Sequence, residues 1–130
     1  MNYDTTEMRA TLRAAATRRA FADWLRADSD RLISAAELLG GDGWEGRAAE
    51  VAAAMADGAE PEDVEADLVA LHRLLTLECM NDIESAEAVR FLAVHPDDPR
   101  ADDARLCAEA LERGLDALRE LAAMAVQEVA

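Results

Sequence analysis

Few side chains in this sequence have the chemistry of an active site, and their spacing limits what they could do together. The histidines are His72 and His95 and the cysteines Cys79 and Cys107. His72 and Cys79 share the stripe of a helix reading through Val64, Leu68, Leu71 and Leu75. Seven residues nevertheless separate the two by about 10 Å along a helix axis, too far for one zinc ion whose ligand bonds are about 2.0–2.3 Å long. The remaining candidates for metal ligands are His72, Glu78 and Asp82. A carboxylate-lined metal-binding bundle, or an enzyme built on one, requires one of these to point inward beside an acid of a second helix. The Glu-x-x-His pattern of di-iron and di-manganese bundles is missing, since Val69 stands three residues before His72 and Leu92 three before His95. Ser29, Ser34 and Ser85 are the serines available to a nucleophilic triad, and none sits in a Gly-x-Ser-x-Gly elbow. Glu84 and Glu87 are explained by a solvated helix face. No catalytic residue and no cofactor is assigned.

The elements that would have to position such groups are helices. The chain has 30 Ala and 16 Leu against 7 Val, 2 Ile and 5 Thr, a bias that favours helix and starves a sheet of β-branched residues. At 130 residues one domain with one core is expected, spanning residues 1–130. Alanine buries little area per residue, so the core must come from Leu, Met, Val and the few aromatics, with close helix approach as partial compensation.

Charge bears on partners. The formal charge is −15, from 28 acids against 13 basic residues, all of them arginine. Such a surface repels phosphate backbones, so nucleic-acid binding is not expected, and a basic protein is the electrostatically sensible partner. The same charge is also explained by solubility alone. Met1–Arg13 lacks the apolar core of a signal peptide, and no run approaches the roughly 18 apolar residues of a membrane span. A cytoplasmic location with Cys79 and Cys107 free is expected.

Local signals divide the chain. Asp4 and Glu7 have capping-box spacing ahead of a helix carrying Met8, Leu12, Phe21, Trp24 and Leu25, and Asp28-Ser29-Asp30 is a place for it to break before Leu32–Leu39. Gly40–Gly46 holds four glycines in seven positions and reads as a non-helical connector with Trp44 tucked onto the bundle. It has neither the lysine of a phosphate loop nor the alternating oxygens of a calcium loop. Arg47–Asp57 reads as a short helix closed by Gly58. Pro61 sits in the first turn of the next helix, whose acids suit its N-terminus. The stretch Glu60–Val94, strongest over Val64–Met80, reads as one long central helix against which the rest packs, with a bend after Met80 where Asn81 and Glu84 have the spacing to cap a fresh helix. After the His95–Pro99 turn, Asp98 caps a last helix that reads inward through Leu106, Leu111, Leu115, Leu118, Ala122, Ala125 and Val129 and is antiparallel to the central one. Glu109 and Arg113 are spaced to pair on its solvent side. Gly114 costs about 1 kcal/mol there unless a neighbouring helix approaches it.

Trp44-Glu45-Gly46, after about forty helical residues and before an Ala-rich stretch, resembles the motif of the WXG family of small secreted helical-hairpin proteins. The resemblance spans residues 5–57 and implies a turn between two long arms, dimerisation and export. Gly58 and Pro61 interrupt the second arm, a further long helix follows, and Tyr3 is the sole tyrosine, so the family's C-terminal Tyr-x-x-x-acid signal is missing.

The expected architecture is therefore an all-α, four- or five-helix bundle with a long central helix and an antiparallel C-terminal helix. The expected function is a non-enzymatic, acidic protein-interaction module that self-associates as a dimer through an apolar helix face.

Overall fold

In the computed structural model, residues 5–76, 93–94 and 97–129 are described, with side chains as far as Val126. Among the described residues there are five α-helices and no strand: α1 Thr5–Ala27, α2 Ser29–Gly40, α3 Asp42–Ala56, α4 Glu65–Leu75, which a 3-10 turn over Pro61–Val64 precedes, and α5 Pro99–Val129. The all-α bundle expected from the Ala- and Leu-rich composition is the fold. No helix among the described residues is long and apolar enough to cross a membrane.

Several boundaries are set by caps visible in the sequence. Gly58, at φ 101°, ends α3. Its N–H donates to Met55 O and the Ala59 N–H to Ala54 O, at 3.2 and 3.0 Å, which is the Schellman arrangement that satisfies the last carbonyls of a helix. Arg26 adds hydrogen bonds to Met55 O and Ala59 O, placing a cation at the negative end of α3. Glu60 caps the following turn, its own N–H donating to Asp63 Oδ2 at 2.9 Å with Pro61 between them. Asp98 accepts from the Arg100 N–H at 2.9 Å and starts α5. The chain breaks between α1 and α2 at Asp28, within the triplet expected to interrupt it.

Two expectations need correction. The glycine-rich stretch is not a connector: the joint is Gly41 alone, at φ 86° and ψ −166°, a region essentially restricted to glycine. Gly43 and Gly46 lie inside α3. Tertiary packing outweighs their poor propensity, because Ala48, Val51 and Met55 on the same helix are fully buried and Trp44 packs against the core. The second correction concerns the centre of the bundle. The helix expected to run unbroken over Val64–Met80 ends at Leu75; the Thr76 N–H donates to His72 O and its hydroxyl to Arg73 O. The rest of the expected central helix, residues 77–92, lies outside the described residues, as does Asp4 of the first capping box. Among the described elements α5 packs against α1, α2 and α4, and α2 packs against α1, α3, α4 and α5.

Directions follow from the contacts. Thr11 of α1 meets Met124 of α5 and Phe21 meets Gly114, so α1 and α5 are antiparallel. Glu60 and Glu62 meet Arg18, near the Arg113–Ala117 level of α5, whereas Leu75 and Thr76 share a groove with Ala101 and Ala104. Thus α4 and α5 are antiparallel, as expected. The core between them holds Leu25, Leu32, Val51, Met55, Leu68, Leu71, Cys107 and Leu111, and no polar or charged side chain among the described residues is buried. Leu106, expected to face inward, is 48% exposed.

Arg18 bridges α1 to the start of α4, with Glu62 at 2.5 Å and Glu60 at 2.9 Å. The guanidinium holds the Glu62 carboxyl below its usual range. A depressed folded pKa contributes stability that is present above the unfolded value and lost as pH falls through the folded one. Arg18→Gln is therefore expected to cost about 0.5–1 kcal/mol at pH 7. The gap to wild type should close as pH falls below about 4, measured by urea unfolding; a gap independent of pH would mean the bridge contributes nothing.

Candidate functional site

The feature that distinguishes this bundle is a difference in helix length. At 1.5 Å per residue α1 and α5 extend about 35 and 46 Å, against about 18, 22 and 16 Å for α2, α3 and α4. The two long helices consequently overrun the other described helices together. No residue of α1 before Ala14 is buried and no described side chain of α5 after Leu118 is, yet the pair stays in contact there through Thr11 and Met124.

The core stripes do not stop where the short helices stop. Met8, Ala15 and Ala22 are seven residues apart, so Met8 continues the line that Ala22 buries lower down. Leu118, Ala122 and Ala125 continue one stripe on α5, with Val126 beside Ala122. Met8 is 55%, Leu12 67% and Val126 69% exposed, and Ala122, Ala123 and Ala125 are exposed as well. Lower in the bundle the equivalent positions are covered by α2, α3 and α4. This overhang presents a two-helix apolar face with no helix on it among the described residues.

The metal candidates are not assembled. Glu78, Asp82, Cys79 and His95 lie outside the described residues. His72 is on α4, and its Nε2 is buried without a hydrogen-bond partner; no described acid of a second helix joins it as a ligand. A buried polar atom left unsatisfied costs about 1–3 kcal/mol, and replacing it by an apolar group can recover this. His72→Leu is expected to raise stability by about 1 kcal/mol, read from the urea midpoint at unchanged slope. A loss of stability would show that Nε2 has a partner in solution. Cys107 is a free thiol as expected, and burial pushes it up to about 11, so little nucleophilic thiolate exists at neutral pH.

Among the described residues, the acids that come within ligand distance of one another are Glu37, Asp42 and Glu45, all within 4.8 Å. Asp42 and Glu45 occupy the first turn of α3, where acids complement the helix dipole, and Glu37 sits one turn before the Gly41 joint. The helix N-terminus accounts for Asp42 and Glu45. Trp44 is half-buried, with the Arg47 guanidinium 5.4 Å from its ring and Arg47 paired to Asp67 at 2.8 Å.

Sequence reasoning missed a groove between α1 and α5. Phe21 and Trp24 stack there with centroids 6.2 Å apart and planes at 15°, and Gly114 opposite leaves room for the Phe21 ring. The spacing of the two aromatics and the glycine inside a helix were the available signals. Glu109 and Arg113 border this groove and do not form the ion pair their spacing suggests.

The chain matches no family model, and neither a curated protein nor a solved structure is significantly similar to it. Trp44-Glu45-Gly46 lies within α3 after the Gly41 joint, and the helices flanking that joint have 12 and 15 residues. They do not make the long two-arm hairpin that the WXG resemblance implies.

Proposed function

We propose that this protein is a non-enzymatic interaction module that associates with a second copy of itself through the α1–α5 overhang. The observation that carries this reading is the continuation of both core stripes beyond the helices that would cover them. Two such faces brought together about a two-fold axis make a four-helix contact, in which each copy offers the other what α2, α3 and α4 offer lower in the bundle. The overhang is about 13 Å long on α1, short beside an interface of about 800 Å² per partner, so association in the micromolar range is the expectation. Arg9, Arg13 and Arg119 beside Glu7 and Glu120 give the rim both signs of charge, which does not oppose pairing of copies that are otherwise strongly acidic.

A second surface supports a basic protein partner. Residues 42–76 carry nine acids against two arginines, whereas α1 carries five arginines against two acids. The acidity is thus dense on α3, α4 and their connection, while α1 is net basic and pairs with the edge of that region through Arg18. A cytoplasmic setting belongs to this same reading.

Light scattering on size-exclusion fractions tests it. At about 100 µM wild type is expected to run as a dimer at low and high salt, because apolar contact resists screening. Leu12→Asp and Val126→Asp, each at an exposed site, should give folded monomers. A wild-type monomer under all these conditions, or a dimer unmoved by either substitution, would overturn the proposal.

A further inference from the structure

The α1–α5 groove is lined by an aromatic pair, apolar side chains, two arginines and one acid. Its volume is about 370 Å³, inside the range of about 300–1,000 Å³ typical of ligand pockets. Trp24, stacked on the buried Phe21 that Gly114 accommodates, forms the floor, and the half-exposed Leu106 stands as an apolar wall. Arg31 from α2 and Arg113 from α5 are at the rim, facing one acid, Glu109.

The charges are informative because of where they occur. In a chain of net charge −15, Arg18, Arg47, Arg100 and Arg119 form ion pairs. Among the described residues Arg31 and Arg113 form none, and both line this groove. Two uncommitted guanidinium groups beside a stacked aromatic floor provide bidentate donors for a carboxylate and an apolar slot for the body that carries it.

We infer that the groove over Phe21 and Trp24 binds a small planar aromatic carboxylate, with the ring system against the aromatic floor and Leu106, and the carboxylate between Arg31 and Arg113. This site is independent of the overhang. Trp24 lies sixteen residues from Met8, about 160° round the α1 axis, so the groove and the proposed self-association face are on different flanks.

The probe is 1-naphthoate, with 1-naphthamide as its neutral analogue, added to the full chain and followed by the Trp24 indole N–H resonance, assigned with Trp44→Phe. Naphthoate is expected to shift the Trp24 signal with a dissociation constant of about 0.1–1 mM and to bind about ten-fold more tightly than the amide. Arg31→Gln with Arg113→Gln should abolish that preference while leaving weak amide binding, and Leu106→Asp should weaken both ligands. Raising salt should weaken the carboxylate and not the amide. The inference is overturned if naphthoate leaves Trp24 unmoved at about 5 mM, if acid and amide bind equally, or if the double arginine variant keeps the preference. None of these outcomes depends on whether the chain dimerises, which the same Leu12→Asp background can remove.

Discussion

Replacing Gly114 by alanine is expected to destabilise this protein by about 1–3 kcal/mol, although the same change in an exposed helix stabilises by up to about 1 kcal/mol. The sign depends on one neighbour. A Cβ at Gly114 would run into Cγ and both Cδ atoms of Phe21. These are the near atoms of a ring that is itself buried and stacked on Trp24, so the ring cannot swing clear as the tip of a long side chain could. Either Phe21 leaves its rotamer or α1 moves off α5, and α1 meets α5 along most of its length. Gly43 and Gly46 are the internal controls. Nothing stands within 4 Å of a Cβ at either, and both are inside α3, so Gly43→Ala and Gly46→Ala should each gain some fraction of about 1 kcal/mol. A Phe21→Leu change made together with Gly114→Ala should cost less than the two separately, a coupling of about 1–2 kcal/mol in a double-mutant cycle. Urea unfolding of the set reads all of these. Gly114→Ala at or above wild-type stability would mean that the two helices do not approach as closely as the structure places them.

That glycine illustrates what the sequence could convey. A glycine inside a long helical stretch is locally anomalous, and the anomaly pointed to a close neighbour before the neighbour was known. The caps were legible for the same reason: Gly58, Glu60-Pro61-Asp63 and Asp98-Pro99 each act through hydrogen bonds to residues within five positions. Propensity misled at Gly43 and Gly46 because their cost is local while the compensation, burial of Ala48, Val51 and Met55 against other helices, is not. The partners of each stripe were hidden for a related reason. Val64 to Leu75 and Leu111 to Leu118 are both apolar stripes, and neither shows on its own that α4 and α5 pack against each other and both against α2.

The candidate surfaces divide in the same way. Met8 and Leu12 read as core because they continue a helical stripe; their exposure follows from partners too short to reach them, a relation between helices that no single stripe contains. Helix lengths were partly available, since Gly41 and Gly58 bound α3 and Pro99 opens a stretch without a strong breaker. Comparing those lengths would have indicated an overhang. Arg31 and Arg113, by contrast, are 82 positions apart in numbering and line one groove only once α1, α2 and α5 are packed, so that groove had no sequence signature beyond its aromatic pair.

Leu111→Ala and Leu106→Ala separate the two meanings of a leucine on one helix. The substitutions change helix propensity by the same small amount, at sites five residues apart and about 140° round the axis. Leu111 is fully buried and Leu106 is 48% exposed. Truncating Leu111 removes buried methyl groups and leaves a cavity where α5 meets its neighbours, for an expected loss of about 3–4 kcal/mol. In a domain whose total stability is about 5–15 kcal/mol, this is enough to move the urea midpoint by a large fraction of its value and to leave part of the population unfolded near body temperature. Leu106→Ala should cost no more than about 0.5 kcal/mol, as a surface substitution does, while weakening naphthoate binding because it removes the groove's apolar wall. The pair therefore tests the fold and the groove with one measurement each. Equal stability losses would mean that α5 is rotated from the placement described, and with it the floor over Phe21 and Trp24; a large difference in stability with unchanged naphthoate binding would keep the fold and remove Leu106 from the site.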